Sequence, residues 1–389
     1  MLITLNEIKN ISEEKINSLK ENQVAEDKHL EYKLTLPSEK YDDKKEFLAD
    51  VSSFANADGG VIFYGIKAKD GILEDIPGLD IDNLDAEILR LENLLRTSIE
   101  PRIIGTYFHP FKLSNGKTLI VAHVPKSFNP PHVVNYQGHW KFYSRNSAGK
   151  YPLDVSELKS IISLSTTVQE RIRNFRLERI SRIKNRDLQI PISDEPKFIY
   201  HLVPLSAFAT DTSIDLAKFE NSDLKYKVFY ELKKIYNYEG IFIHNSDGTY
   251  PADWYMQIFR SGTIEILNSR VNPLSTKILD YYSFEKDLID SVNNNKIVFD
   301  FFGVNYPMII FHTVLDIKDF RITPKLGFRD IGKHQFDQSD FLLPEILLTE
   351  DQFDILPLAL KPLFDPIWNA AGYPQSPNFN TKGEWTVKG

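Results

Sequence analysis

The chain has 389 residues, 42% of them hydrophobic and 26% charged, an ordinary balance for a globular protein long enough for two domain cores. The absence of cysteine excludes disulfides, thiolate zinc sites and cysteine nucleophiles, and it is typical of a cytoplasmic protein. The net charge of −8 argues against a surface that coats nucleic acid everywhere, although a local basic groove is compatible with it. No apolar run approaches about 18 residues, so we expect no transmembrane helix.

The first 165 residues alternate between helical and strand patterns, which predicts an α+β domain. The predicted helices and strands follow in chain order: a helix over 5–20 with Ser12 as a cap, a strand over 29–36, a helix over 43–56, a strand over 61–66, a helix over 85–98, strands near 102–109, 118–124 and 140–145, and a closing helix over 153–164.

The best-defined of these units is the helix over 43–56 and the strand after it. Phe47, Leu48, Val51 and Phe54 recur at the spacing of one helical face, which predicts a helix packed on a core. Gly59-Gly60 then ends the helix, because glycine adopts left-handed backbone conformations without steric cost. The strand over 61–66 is almost wholly apolar, as expected for a strand covered on both faces.

A charged triplet, Glu31-Tyr32-Lys33, precedes this unit. Residues two apart in a strand point to the same face, so Glu31 and Lys33 would lie side by side, with Glu26 a short turn upstream. Carboxylates can hold a divalent metal against a phosphate, and a lysine can offset charge on the reacting phosphoryl group. The same pattern also fits a plain salt-bridged surface strand.

The order of Glu26, the Glu31-Tyr32-Lys33 triplet and the segment Phe54-Ala55-Asn56-Ala57-Asp58-Gly59-Gly60 resembles the Schlafen AlbA-like domain. The resemblance covers about residues 20–165 and continues at Pro131-His132 and Phe142-Tyr143-Ser144-Arg145. Members of that family are nucleic-acid-binding modules, and some are metal-dependent endoribonucleases that cut tRNA-like substrates. The resemblance implies that Glu26 and Glu31 bind Mg²⁺ or Mn²⁺ and that Lys33 acts on the phosphate.

The third acidic position of the family pattern is occupied differently here. Lys67 follows the Gly65-Ile66 strand end where the pattern favours an acid, and Asp70 is the nearest carboxylate. We therefore expect Asp70 to complete the metal site of a tRNA or structured-RNA endoribonuclease, acting by resemblance in anti-phage defence. Lys67 favours two alternatives: a non-catalytic nucleic-acid-binding regulator, or an interaction subunit of a defence complex.

A basic segment follows the first domain. Residues 170–186 contain seven basic residues against two acidic ones and predict a linker helix within 166–190. Its basic face is either solvated or lines a groove for a phosphate backbone, in which case Arg179, Arg182 and Arg186 would contact nucleic acid together with Lys33 and Lys67. Arg145, after an aromatic strand, would pair with a carboxylate or face a phosphate.

Residues 191–389 predict a second α+β domain, in which we find no catalytic motif and to which we assign a sensor or regulatory role by the same resemblance. We expect strands over 198–203, 240–244, 253–260, 263–268, 296–300 and 307–315, helices over 223–238 and 275–292, and loops with short helices on the surface beyond 330. The chain contains no second copy of the Glu-x-Lys and Gly-Gly unit, so we expect a second wall for an RNA groove to come from a homodimer. The alternative is a monomer in which the C-terminal domain supplies that wall.

Overall fold

We analysed a computed structural model of the chain that describes residues 5–127, 129–208, 213–222, 232–269, 273–275, 277–280, 283–323 and 334–387. The chain divides into two compact units, Met1–Val168 and Gln169–Gly389. Both units combine helices with sheets, which confirms the α+β class. No helix in the described ranges is both long and apolar enough to cross a membrane.

Unit 1 contains five helices and ten strands within the described residues, with α5 continuing beyond its boundary. They are α1 (Leu5–Lys9), α2 (Glu13–Glu21), β1 (Leu30–Lys33), α3 (Tyr41–Asn56), β2 (Gly60–Tyr64), β3 (Lys67–Lys69), β4 (Ile72–Asp75), α4 (Leu84–Ser98), β5 (Ile99–Glu100), β6 (Tyr107–Lys112), β7 (Thr118–Val124), β8 (Val133–Tyr136), β9 (His139–Asn146), β10 (Gly149–Pro152) and α5 (Val155–Lys184).

Two four-stranded sheets and one hairpin organise unit 1. The first sheet has the order β1-β2-β7-β6, with β1 and β2 parallel, and the second has the order β10-β9-β8-β5. Strands β3 and β4 form a separate hairpin. Helix α3 contacts strands of both sheets, and its apolar residues share one core with strands β2, β7, β8 and β9. This position places the charged residues of α3 beside β1 on one side and β9 on the other.

The local predictions around α3 are confirmed. Phe47, Leu48, Val51 and Phe54 are all buried, and every residue of β2 is buried. Ser12 caps α2, although the predicted helix over 5–20 is divided into α1 and α2. The predicted strand over 102–109 begins only at Tyr107.

Helix α5 differs from its prediction. The closing helix over 153–164 and the basic helix over 170–186 are one continuous helix of 30 residues. The sequence between them, Ser165-Thr166-Thr167, contains no glycine or proline, the residues that most strongly end helices, and its β-branched threonines disfavour a helix only weakly. The boundary between the two units falls inside this helix.

Unit 2 is built on one large sheet. The sheet has the order β12-β13-β14-β15-β11-β18-β20, with β21 also paired to β18. Its elements are β11 (Lys197–Pro204), a 3-10 helix (Leu205–Phe208), α6 (Leu216–Glu220), β12 (Lys233–Tyr236), β13 (Gly240–His244), β14 (Trp254–Phe259), β15 (Ile264–Asn268), β16 (Pro273–Ser275), β17 (Ile278–Leu279), α7 (Ser283–Phe302), β18 (Met308–Leu315), β19 (Arg321–Ile322), β20 (Phe341–Leu342), β21 (Ile346–Leu348), a second 3-10 helix (Glu350–Ile355) and α8 (Leu356–Ala370).

Several predictions for unit 2 are wrong. The predicted strand over 296–300 lies inside α7, which begins at Ser283 rather than near residue 275. Residues 233–236, predicted as helix, form strand β12, and most of the predicted helix over 223–238 lies outside the described residues. Beyond residue 330, α8 is a helix of 15 residues that contains Pro362 and Pro366. The two prolines favoured irregular structure in the prediction for this segment. The segment is nevertheless helical, and its apolar face is buried in the core.

A buried carboxylate joins the C-terminal segment to α7. Glu285 accepts hydrogen bonds from the indole N–H groups of Trp368 and Trp385, both at 2.7 Å. It also accepts from the hydroxyl of Ser376 at 2.5 Å and from the amide of Asn378 at 3.0 Å. Burial raises the pKa of Glu285, and these four donors oppose that rise. Together they keep the buried carboxylate satisfied.

Candidate functional site

Six charged side chains from four elements converge on one face of unit 1. We call them the Glu31 network, and its members are Glu31 and Lys33 on β1, Glu46 and Asp50 on α3, Arg145 on β9 and Lys150 on β10. Lys150 and Arg145 are cross-strand neighbours, and Glu46 and Asp50 are one helical turn apart. The network contains three acids and three bases, so its charges balance.

Arg145 is the buried base of the network. Its Nη2 donates to Glu31 Oε2 at 2.7 Å, and its guanidinium lies 3.7 Å from the centre of the Phe54 ring. Within the described residues, its Nε and Nη1 have no hydrogen-bond acceptor. Burial alone would raise the pKa of Glu31, but Arg145 and Lys33 hold it below its usual value. Of the two roles predicted for Arg145, the structure gives it the carboxylate partner.

Lys33 lies at the centre of the network. Its Nζ is 2.8 Å from Glu46, 3.2 Å from Glu31 and 3.2 Å from Asp50. Burial opposes its charge, yet the surrounding carboxylates raise the pKa of the Lys33 ammonium. Glu31 and Lys33 therefore lie side by side on β1, as the two-residue spacing predicts.

Asp50 and Lys150 form the second buried contact. Lys150 Nζ donates to Asp50 Oδ1 at 2.6 Å, and Asp50 is 1% exposed. Burial raises the pKa of Asp50, although Lys150 and Lys33 oppose this rise. Glu46, by contrast, is exposed and reaches both Lys33 and Lys150, the latter at 3.4 Å. The inner side of the network is therefore buried in the protein, and the exposed carboxylate of Glu46 covers its outer side.

Glu26 and Asp70 lie beside this network rather than in it. Glu26 is half-buried, and its Oε1 accepts the backbone N–H of Tyr32 at 2.9 Å. Burial raises the pKa of Glu26, the Tyr32 hydrogen bond lowers it, and the charge of Glu31 adds to the rise. Asp70 and Gly71 form the turn of hairpin β3–β4, both with positive φ, and the Gly71 carbonyl accepts from the Glu26 backbone N–H at 2.7 Å.

Lys67, the other site residue predicted in this region, pairs with a residue outside the Glu31 network. It is exposed on β3 and pairs with Glu74 on β4 at 2.7 Å. The pair crosses the same hairpin that Asp70 turns. Within the described ranges, no three carboxylates or histidines lie close enough together to hold a metal ion. Glu26 contacts both β1 and the Asp70-Gly71 turn, but Glu26, Glu31 and Asp70 do not form such a group of metal ligands.

The segment Phe54 to Gly60 supports the network from below. Asn56 donates to the carbonyls of His132 and Tyr143 at 2.9 and 2.8 Å and accepts the His132 N–H at 2.7 Å. It thereby ties the end of α3 to β8 and β9. A Cβ on Gly60 would lie 2.3 Å from the Phe54 ring, so only glycine keeps that ring beneath Arg145. Phe54, Asn56 and Gly60 therefore position the strands and the Arg145 side chain of the network.

The three arginines predicted to contact nucleic acid lie in the last part of α5 or just after it, in unit 2. Arg179 is buried, and its guanidinium pairs with Glu265 at 2.8 Å and Glu239 at 3.2 Å. It therefore does not lie on a solvated face, as either interpretation of the basic helix assumed. Arg182 is half-exposed and pairs with Glu239 at 2.7 Å, and Arg186 is exposed and pairs with Asp194. Of the three arginines, Arg186 is the most accessible to a phosphate.

Sequence analysis missed Glu46, Asp50 and Lys150. A signal was present for Asp50, because an acid within the apolar stripe of a helix requires a buried partner. No comparable signal identifies Lys150, whose pairing with Asp50 spans 100 residues of sequence.

The structure described so far is an α+β domain. Its charged cluster lies between a Gly-Gly helix–strand unit and a second sheet. A comparison with family models matches residues 26–154 to the Schlafen AlbA_2 family. This part of the chain is a Schlafen AlbA-like domain, which confirms the resemblance found in the sequence. The match covers about a third of the chain and does not extend into unit 2.

Comparisons with individual proteins add little. No curated protein matches the chain. The DIP2311 protein of Corynebacterium diphtheriae matches at 16% identity and a TM-score of 0.27, over 38% of this chain and 27% of its own. The N-terminal domain of a Nitrosomonas europaea protein, described as related to the ATP-dependent DNA helicase RecG, matches at 21% identity and a TM-score of 0.23, over 28% of this chain and 70% of its own. Both TM-scores are too low to carry a functional conclusion.

Proposed function

We propose that the AlbA-like domain binds nucleic acid at the Glu31 network, with structured RNA such as tRNA as the preferred ligand. One observation carries the proposal. The exposed carboxylate of Glu46 occupies the open side of two lysines, Lys33 and Lys150, whose other contacts are buried. A backbone phosphate has the same charge sign and the same acceptor chemistry as this carboxylate, so it can replace Glu46 without leaving either lysine unpaired.

Electrostatics favours this exchange. Glu46 is held by exposed ion pairs, which contribute only about 0–1 kcal/mol each, so displacing it costs little. Glu31 and Asp50 remain in place beneath, because each is bonded to a buried or half-buried base. The network therefore offers two lysines to a ligand while its lower half stays closed.

The test is to remove the competing carboxylate. Glu46→Gln is expected to tighten tRNA binding about fivefold in a fluorescence anisotropy titration, since it frees Lys33 and Lys150 for phosphate. Lys150→Gln should weaken binding by a similar factor. Asp80→Asn is the matched control, because it removes the same charge from an exposed pair with Lys117 elsewhere in unit 1. If Glu46→Gln and Asp80→Asn change the affinity equally, general charge and not this network accounts for binding.

A second candidate function is metal-dependent endoribonuclease activity. It is favoured by the proximity of Glu31 to Glu26, since the charge of Glu31 raises the pKa of Glu26, and by the contact between Glu26 and the Asp70-Gly71 turn. In the described conformation the donor set does not fit a metal ion, because Glu31 is bonded to Arg145 and Asp70 lies on an exposed turn. Activity would require Glu31 to leave Arg145.

Incubation of the protein with total tRNA and Mn²⁺, with and without EDTA, tests this second candidate. Cleavage that EDTA and Glu26→Gln both abolish would support it, with Glu31→Gln as the second variant. Binding without cleavage in Mn²⁺ or Mg²⁺ would leave a non-catalytic nucleic-acid-binding regulator. The anti-phage setting and the sensor role of unit 2 remain predictions. So does the homodimer, which light scattering with and without RNA would test.

A further inference from the structure

An aromatic and basic cluster lies where the β8–β9 hairpin meets the start of α3. We call it the hairpin-tip cluster, and it comprises Tyr41 and Lys45 from α3, Tyr136 from β8, and His139 and Lys141 from β9. The hairpin turns through Gln137 and Gly138, both with positive φ, which gives the tight two-residue connection. Tyr136 and His139 face each other across this turn.

The rings of the cluster are arranged as flat surfaces. Tyr41 stacks on Tyr136 with ring centres 5.6 Å apart and planes 19° apart, and Tyr41 remains 38% exposed. His139 lies nearly parallel to Tyr143, with planes 22° apart, and its Nε2 is 2.9 Å from the Tyr143 hydroxyl. Tyr143 and Tyr136 pack against the core, so the stack is anchored at its inner end and open at Tyr41.

Two lysines border these rings. Lys45 Nζ lies 5.8 Å from the centre of the Tyr41 ring. The pKa of His139 is lowered by burial first and then by the charges of Lys45 and Lys141, which shows that both lysines lie near the imidazole. The lowered pKa of His139 favours the neutral imidazole, whose ring offers a flat face near two cations.

Acidic residues limit what the lysines contribute. Asp42 and Asp43 follow Tyr41 in the first turn of α3, and Asp43 also accepts the hydroxyl of Ser38. Two acids beside two lysines give little net attraction for phosphate. Ring stacking, worth about 1–3 kcal/mol for each base on an aromatic side chain, is therefore the larger effect at this position.

We propose that the hairpin-tip cluster binds an unpaired nucleobase, which stacks on the exposed ring of Tyr41 while Lys45 moves aside to the adjoining phosphate. The ligand class is a single-stranded segment of nucleic acid, such as the loop of a structured RNA. This inference rests on the proposed nucleic-acid-binding function and adds a second contact, separate in its residues from the Glu31 network. An anchored aromatic stack with an open end is the arrangement that single-strand-binding proteins use without sequence preference.

The experiment measures anisotropy with three labelled probes: a short oligouridylate, an oligodeoxythymidylate of the same length and a blunt RNA duplex. Tyr41→Ala and Tyr41→Leu are each expected to weaken oligouridylate binding about tenfold and to leave duplex binding unchanged. Tyr41→Phe keeps the ring and should bind within about twofold of the wild type. Equal losses on the uridylate and thymidylate probes would identify stacking rather than a 2′-hydroxyl contact.

Trp140→Ala is the matched control. Trp140 is 61% exposed and adjacent to His139, but neighbouring residues of a strand point to opposite faces, so it lies across β9 from the cluster. Oligonucleotide binding that survives both Tyr41→Ala and Tyr41→Leu, or that is lost instead with Trp140→Ala, would overturn the proposal. Wild-type binding to the duplex but not to either oligonucleotide would overturn it while leaving the proposed function intact. Binding to none of these probes would overturn the proposal, and it would overturn the proposed function as well if tRNA also failed to bind.

Discussion

The two units each contain an arginine–glutamate pair supported by a phenylalanine ring, and the two pairs differ in exposure. In unit 1, Arg145 pairs with Glu31 and lies over Phe54, and the network continues outward to exposed Glu46. In unit 2, Arg179 pairs with Glu265 and lies over Phe259, 5.0 Å from the ring centre. The chemistry is shared, but the carboxylate differs: Glu31 also binds Lys33, which reaches exposed Glu46, whereas Glu265 is itself fully buried.

The unit 2 pair is enclosed by further hydrogen bonds. Glu265 has a side chain with 0% exposure, and it accepts from His201 Nε2 at 2.9 Å and from the Tyr255 hydroxyl at 3.0 Å. Arg179 and His201 hold the pKa of Glu265 well below its usual value despite its burial. Glu265 is thus enclosed by donors and fixes the part of α5 that lies in unit 2 to the sheet, although Arg179 also reaches half-buried Glu239. In the proposed binding mode, the network of unit 1 instead exchanges the exposed carboxylate of Glu46 for a ligand.

The largest expected effect tests the enclosed network. Glu265→Ala leaves the Arg179 guanidinium buried without its main partner, and we expect a loss of about 3–5 kcal/mol in the free energy of unfolding. Urea denaturation followed by tryptophan fluorescence measures it, since Trp254, Trp368 and Trp385 all lie in unit 2. Glu345→Ala, which removes an exposed partner of Arg173, is the control and should cost under about 1 kcal/mol. If both variants lost the same free energy of unfolding, the enclosed and the exposed pair would contribute equally to stability, contrary to this prediction.

A smaller effect is expected in unit 1. Glu31→Gln keeps the side-chain volume but removes the charge that Arg145 and Lys33 share, and we expect a loss of about 1–3 kcal/mol at pH 7. Because the folded-state pKa of Glu31 lies below its usual 4.5, the carboxylate stabilises the fold above that pH. This contribution is lost as the pH falls through the lowered value.

The difference in stability between wild type and Glu31→Gln should therefore be greatest at neutral pH and shrink below pH 4.5. Chemical denaturation at a series of pH values, followed by circular dichroism, checks both the size and the sign. If the stability difference between wild type and Glu31→Gln grew in acid, the surroundings of Glu31 would destabilise its ionised carboxylate, contrary to this prediction.

The smallest effect concerns the C-terminal end of α5 and the turn that follows it. Arg182→Glu with Arg186→Glu reverses two charges that pair with Glu239 and Asp194 on the surface of unit 2. If these arginines contact phosphate, each lost contact should lower the slope of log affinity against log salt by about 0.7–0.9. A tRNA titration across a salt series measures this slope. An unchanged slope would confine nucleic-acid binding to unit 1.

The sequence was sufficient where periodicity and glycine dictate the backbone. The apolar spacing from Phe47 to Phe54 and the Gly59-Gly60 pair led directly to α3 and β2. The two-residue spacing of Glu31 and Lys33 also gave their shared face. These features depend on local rules, which a single sequence contains.

The sequence was insufficient where partners are distant. The predicted strand over 296–300 has a short apolar run at its centre, Ile297-Val298-Phe299, which fits a strand or a buried helix equally well. The burial of Arg179 depends on Glu265, 86 residues later in the chain. A glutamate between Ile264 and Ile266 in an apolar strand did signal a buried partner, but nothing identified which base it would be.

The buried carboxylate of Glu285 determines how far unit 2 can be shortened. Three of its four hydrogen-bond donors, Ser376, Asn378 and Trp385, come from the last segment of the chain, whose polar composition reads as a dispensable tail. Trimming that tail to obtain a compact fragment for crystallisation would leave a carboxylate stranded in the apolar interior beside Trp368. A fragment of unit 2 should therefore retain the chain through residue 385, and a fusion partner is better attached beyond it.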